Sequence, residues 1–87
     1  MWKIEYKKSV KKDLKSLSED IRYIIRRAIE EKLAVEPLKF GLPLRRSLKN
    51  YMKLRVGDYR VIYRVEKKKV VVHIIKIGHR KDVYNIK

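Results

Sequence analysis

Hydrophobic and polar residues alternate at the start of the chain, and a helical spacing follows. The apolar residues within positions 2–6 are separated by charged ones, which predicts a short opening strand with one buried face. Val10, Leu14 and Leu17 then recur at intervals of four and three residues. This spacing predicts a short amphipathic helix, and the lysines between these positions give it a basic outer face.

A second helix is predicted directly after Ser18. The Ser18 hydroxyl can accept a hydrogen bond from the first turn, and Glu19 and Asp20 follow where the helix dipole favours acids. Its apolar stripe comprises Ile21, Ile24, Ile25, Ala28, Ile29 and Leu33. Glu36-Pro37 ends the helix, because the residue before a proline is driven out of the helical region. The two helices are therefore expected to form an αα-hairpin.

No periodic pattern survives from residue 40 to residue 50, which predicts an ordered loop. Two alternating segments follow, at 51–56 and 59–66, and Gly57-Asp58 between them is a two-residue hairpin signal in which glycine suits the first position of a type II′ turn. A third strand is predicted from residue 69 to residue 77. It is apolar on both faces, as expected of a strand with neighbours on both sides.

A turn at Gly57-Asp58 sorts the hairpin residues into two faces. The face that the helix pair should cover carries Met52, Leu54, Val56, Tyr59, Val61, Tyr63 and Val65. The other face carries Tyr51, Lys53, Arg55, Arg60 and Arg64, with Arg55 directly opposite Arg60. Like charges in that position cost about 0.2–1 kcal/mol. The pairing therefore suggests a bound anion, and the alternative is a solvated face that is simply basic.

The distribution of charge supports an anionic partner. The 87 residues include 25 Lys and Arg against 10 Asp and Glu, a formal net charge of +15. Residues 1–40 hold 11 basic and 7 acidic residues, whereas residues 41–87 hold 14 basic and 3 acidic ones. Because the excess is concentrated in the half that forms the sheet, a phosphate-rich partner is expected.

Length and composition exclude several classes of protein. A chain this short has room for one hydrophobic core, so residues 1–87 are predicted to be a single domain. Without cysteine there can be no disulfide or metal–thiolate site, and the few acids show no spacing typical of a two-metal nuclease, so no metal or cofactor is expected. No apolar run could span a membrane and no signal peptide is recognisable, so a cytoplasmic protein without a membrane partner is expected.

The residues after the third strand bring further candidate chemistry to the end of the sheet. Gly78 permits a tight change of direction, after which His79, Arg80 and Tyr84 would supply imidazole, guanidinium and phenol on the same side as the basic face. His73 lies inside the apolar strand and is interpreted as a structural or groove-lining residue, since no partner for metal or triad chemistry is evident.

Together these features resemble the RelE/ParE superfamily of toxins, and specifically its RelE-type mRNA interferases. The resemblance covers nearly the whole chain and rests on three features: the order of the elements, the block from Leu48 through Tyr63, and the closing Gly78-His79-Arg80 with Tyr84. It implies a microbial RNase-like α+β fold with the order β-α-α-β-β-β. It also implies a metal-independent, ribosome-dependent endoribonuclease that blocks translation and is neutralised by an acidic, RelB-like antitoxin in a hetero-oligomer. A ParE-like inhibitor of DNA gyrase and a plain basic RNA-binding module are the alternatives.

The resemblance also implies roles for individual residues. Lys53, Arg55, Arg60, Arg80 and Tyr84 match active-site positions of the family, while Tyr51 and His79 stand where lysine is common. Lys53 is the candidate base, Arg60 and Arg80 would stabilise the transition state, and the acid is Arg80 or His79. Tyr84 would stack on a base or donate a proton. The substrate-binding candidates are Arg55, Tyr51, Arg64 and Lys81.

Overall fold

The computed structural model describes residues 1–44 and 51–82, which form a five-stranded sheet with helices on one face. The elements are β1 (Lys3–Tyr6), α1 (Lys8–Lys15), α2 (Glu19–Ala28), a π-helical turn (Ile29–Leu33), α3 (Pro37–Phe40), β2 (Leu42–Pro43), β3 (Tyr51–Val56), β4 (Tyr59–Glu66) and β5 (Val71–His79). The strand order is β1-β5-β4-β3-β2, with β1 parallel to β5 and the other neighbours antiparallel. The predicted α+β fold, a helix pair on a mainly antiparallel sheet, is confirmed.

The second helix begins where the sequence predicts. The Ser18 side chain accepts a hydrogen bond from the Ile21 N–H at 3.3 Å, so the predicted cap is confirmed. Glu36 lies outside the helical region, as expected before a proline, and Pro37 opens the short helix α3. The placement of Ile24 in the apolar stripe is wrong, because this residue is 52% exposed. Each helical residue turns by about 100°, which rotates Ile24 to the edge of the buried face that Ile25 centres.

The predicted loop over residues 40–50 is partly wrong. Phe40 ends α3, and Leu42 and Pro43 form β2, which pairs with Lys53 and Met52 of β3. A two-residue edge strand is too short to produce an alternating pattern, and an edge position tolerates proline because no ladder hydrogen bond is needed from it. Residues 45–50, including Leu48, lie outside the described residues.

The hairpin between β3 and β4 has the predicted register. Val56 pairs with Tyr59, and Arg55 pairs with Arg60. Gly57 has a φ of +60° and Asp58 does not have a positive φ, which agrees with a type II′ turn. Because the side chains alternate, this register places the apolar and the basic residues of the hairpin on opposite faces, as predicted.

The third long strand begins two residues later than predicted. Val70 adopts a φ of +57° in the turn that precedes β5, so the strand starts at Val71. β5 lies between β1 and β4, and the prediction of an interior strand is confirmed. A bulge shifts its register against β4: Ile62 pairs with Lys76, whereas Tyr63 pairs with Ile74.

The core lies between the helices and the sheet. It contains Val10, Ile25, Ile29, Leu33, Met52, Leu54, Val61, Tyr63, Val65, Val72, Ile74 and Ile77. Tyr63 donates a hydrogen bond to the Pro37 carbonyl at 2.6 Å, and burial raises the pKa of Tyr63 to about 12. Gly41 permits this contact, because a Cβ at this position would lie 1.7 Å from the Tyr63 hydroxyl. No helix within residues 1–44 and 51–82 is long and apolar enough to cross a membrane.

Candidate functional site

The sheet face turned away from the helices, here called the outer face, carries most of the predicted site residues. Arg55 and Arg60 are directly opposite each other and alternate along their strands with core residues. Lys53 lies on the same face, two positions before Arg55 and opposite Ile62. The basic residues of the hairpin therefore share the sheet face that the helices do not cover, on which Arg55 is exposed, Lys53 is half-buried and Arg60 is buried.

Arg60 is fixed against the backbone of its own hairpin. It is 8% exposed, and its Nη1 donates hydrogen bonds to the carbonyls of Gly57 at 2.8 Å and Tyr59 at 2.9 Å. Its Nε and Nη2 have no hydrogen-bond partner among the residues that the structure describes. The guanidinium group thus braces the turn with one nitrogen and keeps two nitrogens available for an anion.

The chain segment after β5 brings Arg80 to the same place. Tyr59 pairs with His79 at the end of β5, and the Arg80 N–H donates a hydrogen bond to the Asp58 carbonyl at 2.8 Å. We call the region of Lys53, Arg55, Arg60 and Arg80 the hairpin end of the outer face. Its three arginines make no ion pair with an acid of the described segments.

His79 lies on the other side of the sheet. Its ring contacts the Tyr59 ring with the centroids 5.6 Å apart and the planes at 76°, and Tyr59 packs against the core under the helices. Opposed residues of neighbouring strands project to the same face, so His79 follows Tyr59 and not the outer-face arginines. The expectation that the imidazole shares the side of the basic face is therefore wrong. The Lys81 N–H donates a hydrogen bond to the Nδ1 atom of His79 at 3.2 Å.

The remaining predicted residues of the outer face lie farther along the strands. Tyr51 and Arg64 are directly opposite each other, four positions from Arg60 along β4, which corresponds to about 13 Å. Lys81 is exposed beside Arg80, and Tyr84 lies outside the described residues. The predicted set is thus divided: the backbone positions of Lys53, Arg55, Arg60 and Arg80 lie near the hairpin turn, Tyr51 and Arg64 lie farther along the strands, and His79 faces away.

A second cluster occupies the far end of the outer face. His73 lies between two carboxylates, with its Nε2 atom 2.8 Å from Glu66 Oε1 and its Nδ1 atom 3.5 Å from Glu5 Oε1. The hydrogen bond with His73 lowers the pKa of Glu66, and the nearby Lys69 acts in the same direction. These contacts agree with the interpretation of His73 as a structural residue, and the parallel strand β1 supplies one of its partners, Glu5. We call Glu5, Arg64, Glu66 and His73 the carboxylate end.

Tyr59 and the Asp58 carbonyl lie beside the site and support it. Alternation predicts that Tyr59 is a core residue, but its contact with His79 depends on the β4–β5 register, which no sequence pattern reveals. Asp58 acts through its backbone, which is independent of its side chain. Within residues 1–44 and 51–82, no three His, Cys, Asp or Glu residues form a cluster that could hold a metal ion.

The hairpin end has the chemistry of a phosphate-binding site. Guanidinium groups form charge-assisted, often bidentate, hydrogen bonds with phosphate oxygens. Holding Arg60 by its own turn reduces the conformational entropy lost when an anion binds. The arrangement can therefore bind an RNA backbone and stabilise charge that develops on a phosphate group.

A comparison with known proteins assigns this chain to a class of toxins. The family model described as the ParE toxin of type II toxin–antitoxin systems, parDE, matches residues 4–84. The chain belongs to this family, and the predicted membership of the RelE/ParE superfamily is confirmed.

Individual relatives place the chain among RelE-like toxins. It is 42% identical to the toxin RelG of Mycobacterium tuberculosis over 52 residues, a match that spans 60% of this chain and 60% of that relative. The RelBE2 toxin–antitoxin complex of the same organism contains a chain with a TM-score of 0.84 and 31% identity, covering 93% of both chains. The RelE–RelB complex of Pyrococcus horikoshii gives a TM-score of 0.66 at 31% identity, covering 94% of this chain and 98% of that one.

Proposed function

We propose that this toxin cuts mRNA on the ribosome without a metal ion and thereby inhibits translation. The observation that carries the proposal is the convergence of Arg55, Arg60 and Arg80 at the hairpin end, where no acid of the described segments pairs with them. A surface that only had to be soluble would place acids among these cations, whereas a phosphate-binding site requires that they stay uncompensated.

The proposed reaction is an internal transfer of the phosphoryl group. The ribose 2′-oxygen attacks the adjacent phosphorus, the bond from phosphorus to the 5′-oxygen of the next nucleotide breaks, and the products carry a 2′,3′-cyclic phosphate and a 5′-hydroxyl. Lys53, as a neutral amine, takes the proton of the 2′-hydroxyl. A proton is delivered to the departing 5′-oxygen, and of the two predicted donors we propose Arg80, because His79 lies on the other side of the sheet.

The arginines supply the electrostatic part of this mechanism. Negative charge grows on the non-bridging oxygens in the transition state, and donors that are already fixed stabilise it without further reorganisation. Arg60, held by two backbone carbonyls, meets this requirement, and Arg80 is tied to the hairpin turn by its own N–H. Arg55 holds the scissile or the adjacent phosphate.

The other predicted residues are proposed to bind the RNA on either side of the scissile phosphate. Tyr51 and Arg64 lie about 13 Å from Arg60 along the outer face, and at this distance they would contact the RNA beyond the scissile phosphate. Lys81 adds charge beside Arg80, and Tyr84 would stack on a base.

The decisive experiment is a cleavage assay with programmed ribosomes. Purified toxin is treated with EDTA, freed of the chelator and added to ribosomes carrying a defined mRNA, in a buffer whose only divalent ion is the magnesium that the ribosome needs. The fragments are mapped at both ends. We expect fragments with cyclic phosphate and 5′-hydroxyl ends. Intact mRNA with the native protein would contradict the proposal, as would 5′-phosphate ends.

A second candidate function is inhibition of DNA gyrase, which the ParE branch implies. The description of the matching family model, a toxin of parDE, favours it. A supercoiling assay with purified gyrase separates the two candidates. Loss of supercoiling together with intact mRNA would replace the nuclease proposal, and RNA binding that falls steeply with salt but cuts nothing would leave a plain RNA-binding module.

We further propose that an acidic, RelB-like antitoxin neutralises the toxin in a hetero-oligomer. The RelBE2 and Pyrococcus horikoshii relatives were solved as complexes with antitoxins, and a net charge of +15 favours an acidic partner. Co-expression with the adjacent small reading frame should yield a complex that no longer cuts mRNA. A toxin acting on translated mRNA would work in the cytoplasm, together with such a partner.

A further inference from the structure

We infer that His79 is a positioning residue which, together with Tyr59, holds the turn that presents Arg80 at the hairpin end. The effect of this residue on cleavage rests on the proposed function, whereas the hydrogen bonds that define the turn do not depend on it. Positioning the turn gives His79 a role other than the predicted proton transfer.

Residues 79–82 form a tight turn with Arg80 and Lys81 at its centre. The Asp82 N–H donates a hydrogen bond to the His79 carbonyl at 2.9 Å, the bond that closes a four-residue turn. The His79 side chain adds a second bond, because its Nδ1 atom accepts from the Lys81 N–H. A side-chain acceptor bonded two residues ahead is how Asn and Asp stabilise turns, so the imidazole takes the place of their oxygen.

This contact defines the state of the ring. A backbone N–H can only donate, so Nδ1 must be the acceptor and a neutral ring carries its hydrogen on Nε2. The edge-on contact with Tyr59 holds the ring in the plane that this bond requires. Tyr59 in turn packs against the core, so the orientation of the turn is linked to the hydrophobic core.

A backbone hydrogen bond also joins this turn to the β3–β4 hairpin. The Arg80 N–H reaches the Asp58 carbonyl, one residue from the Gly57 carbonyl that Arg60 binds. Arg60 and Arg80 therefore approach the outer face from a shared support, the turn at Gly57-Asp58. Because the His79 ring is on the helix side of the sheet, it can orient Arg80 but cannot reach a phosphate held by the outer-face arginines.

Substitution with asparagine separates positioning from proton transfer. His79→Asn keeps an acceptor with the reach to the Lys81 N–H but has no titratable ring, whereas His79→Leu has neither. We expect His79→Asn to retain cleavage within about threefold with an unchanged pH profile, and His79→Leu to lose about 10²-fold in kcat, the scale of a misplaced catalytic group. If His79→Asn were as inactive as His79→Leu, the inference would be overturned.

Tyr59 provides a matched pair of variants. Tyr59→Phe keeps the ring that contacts His79 and should behave as the native protein, whereas Tyr59→Leu should lower kcat more than it raises KM. Thermal unfolding curves with midpoints above the assay temperature would verify that both variants are folded in the assay. Equal activity of Tyr59→Leu and Tyr59→Phe would contradict the role assigned to this ring.

A measurement without RNA keeps this test independent of the proposed function. In ¹⁵N NMR spectra of the native toxin at pH 8, we expect the His79 ring to carry its hydrogen on Nε2. We also expect the Lys81 amide hydrogen to exchange with solvent faster in Tyr59→Leu and His79→Leu than in the native protein. A hydrogen on Nδ1, or unchanged exchange in both variants, would overturn the inference. If these signatures were found in a protein that cut no mRNA, the proposed function would fail and the assignment of the turn would stand.

Discussion

The two ends of the outer face carry similar basic side chains, but carboxylates pair with these side chains at only one of the two ends. At the carboxylate end, His73 lies between Glu5 and Glu66, and Lys69 approaches Glu66 at 4.0 Å. At the hairpin end, Arg60 is bonded only to carbonyl oxygens, and the described segments place no acid against its arginine neighbours. The absence of compensation, more than the amount of charge, distinguishes a binding site from a solvated surface.

The position of the few acids explains this difference. Only Asp58, Glu66 and Asp82 follow residue 40. Glu66 is used at the carboxylate end, where β1 adds a carboxylate from the first half of the chain. Asp58 and Asp82 lie near the hairpin end but contribute backbone groups to the hydrogen bonds there. At the hairpin end, therefore, no acid of the described segments forms an ion pair with an arginine, although two acids lie close by in sequence.

The largest expected effect compares one arginine from each end. Arg80→Ala removes a fixed donor and should lower the rate of mRNA cleavage by about 10²–10³, whereas Arg64→Ala, which removes a more distant phosphate contact, should lower it by less than about tenfold. Single-turnover cleavage on programmed ribosomes measures both. The two variants lose the same charge, so equal losses would mean that net charge, and not the hairpin end, determines activity.

A smaller effect is expected on stability within the hairpin end itself. Arg60→Ala removes two partly buried hydrogen bonds from a charged group and should lower the free energy of unfolding by about 1–3 kcal/mol. Arg55→Ala, its exposed partner across the hairpin, should leave stability unchanged or raise it by less than about 1 kcal/mol by relieving the like-charge pair.

Urea unfolding of the two variants measures this difference. Both should impair cleavage, so activity alone cannot distinguish an arginine that is fixed from one that is free. An Arg60→Ala protein as stable as the native one would mean that the contacts with the Gly57 and Tyr59 carbonyls contribute nothing to the hairpin.

The sequence predicted the parts of this molecule that depend on local periodicity. Alternation placed the strands and the two faces, and Gly57-Asp58 gave a register that paired Arg55 with Arg60. Ser18 and Pro37 marked helix boundaries because each has a local steric or hydrogen-bonding reason to do so. These features need only the neighbours along the chain.

Features that depend on contacts between distant segments were not predictable. The bulge in β5, the two-residue strand β2 and the parallel pairing of β1 all follow from tertiary packing. They determine that His79 faces the helices and that His73 has Glu5 as a neighbour. The identities of the candidate residues could therefore be read from the chain, whereas the side of the sheet on which His79 lies could not.

The smallest expected effect concerns the carboxylate end and its dependence on pH. Because the hydrogen bond with His73 lowers the pKa of Glu66, the ionised carboxylate stabilises the folded state at pH values above its ordinary pKa of about 4.3. This stabilisation is lost as the pH falls below that value and Glu66 becomes protonated. Glu66→Gln should therefore be less stable than the native protein at pH 6, and the two proteins should converge towards pH 3.

Urea unfolding at pH 6, 4.5 and 3 follows this convergence, and the same series in a His73→Leu background is the matched control. His73 is the principal cause of the lowered pKa, so the pH-dependent difference should shrink when His73 is absent. Cleavage by Glu66→Gln at neutral pH should remain within about twofold of the native rate, since this residue belongs to the compensated end. A large loss of cleavage in Glu66→Gln would mean that the two ends act as one site, and that the contrast between them has no functional meaning.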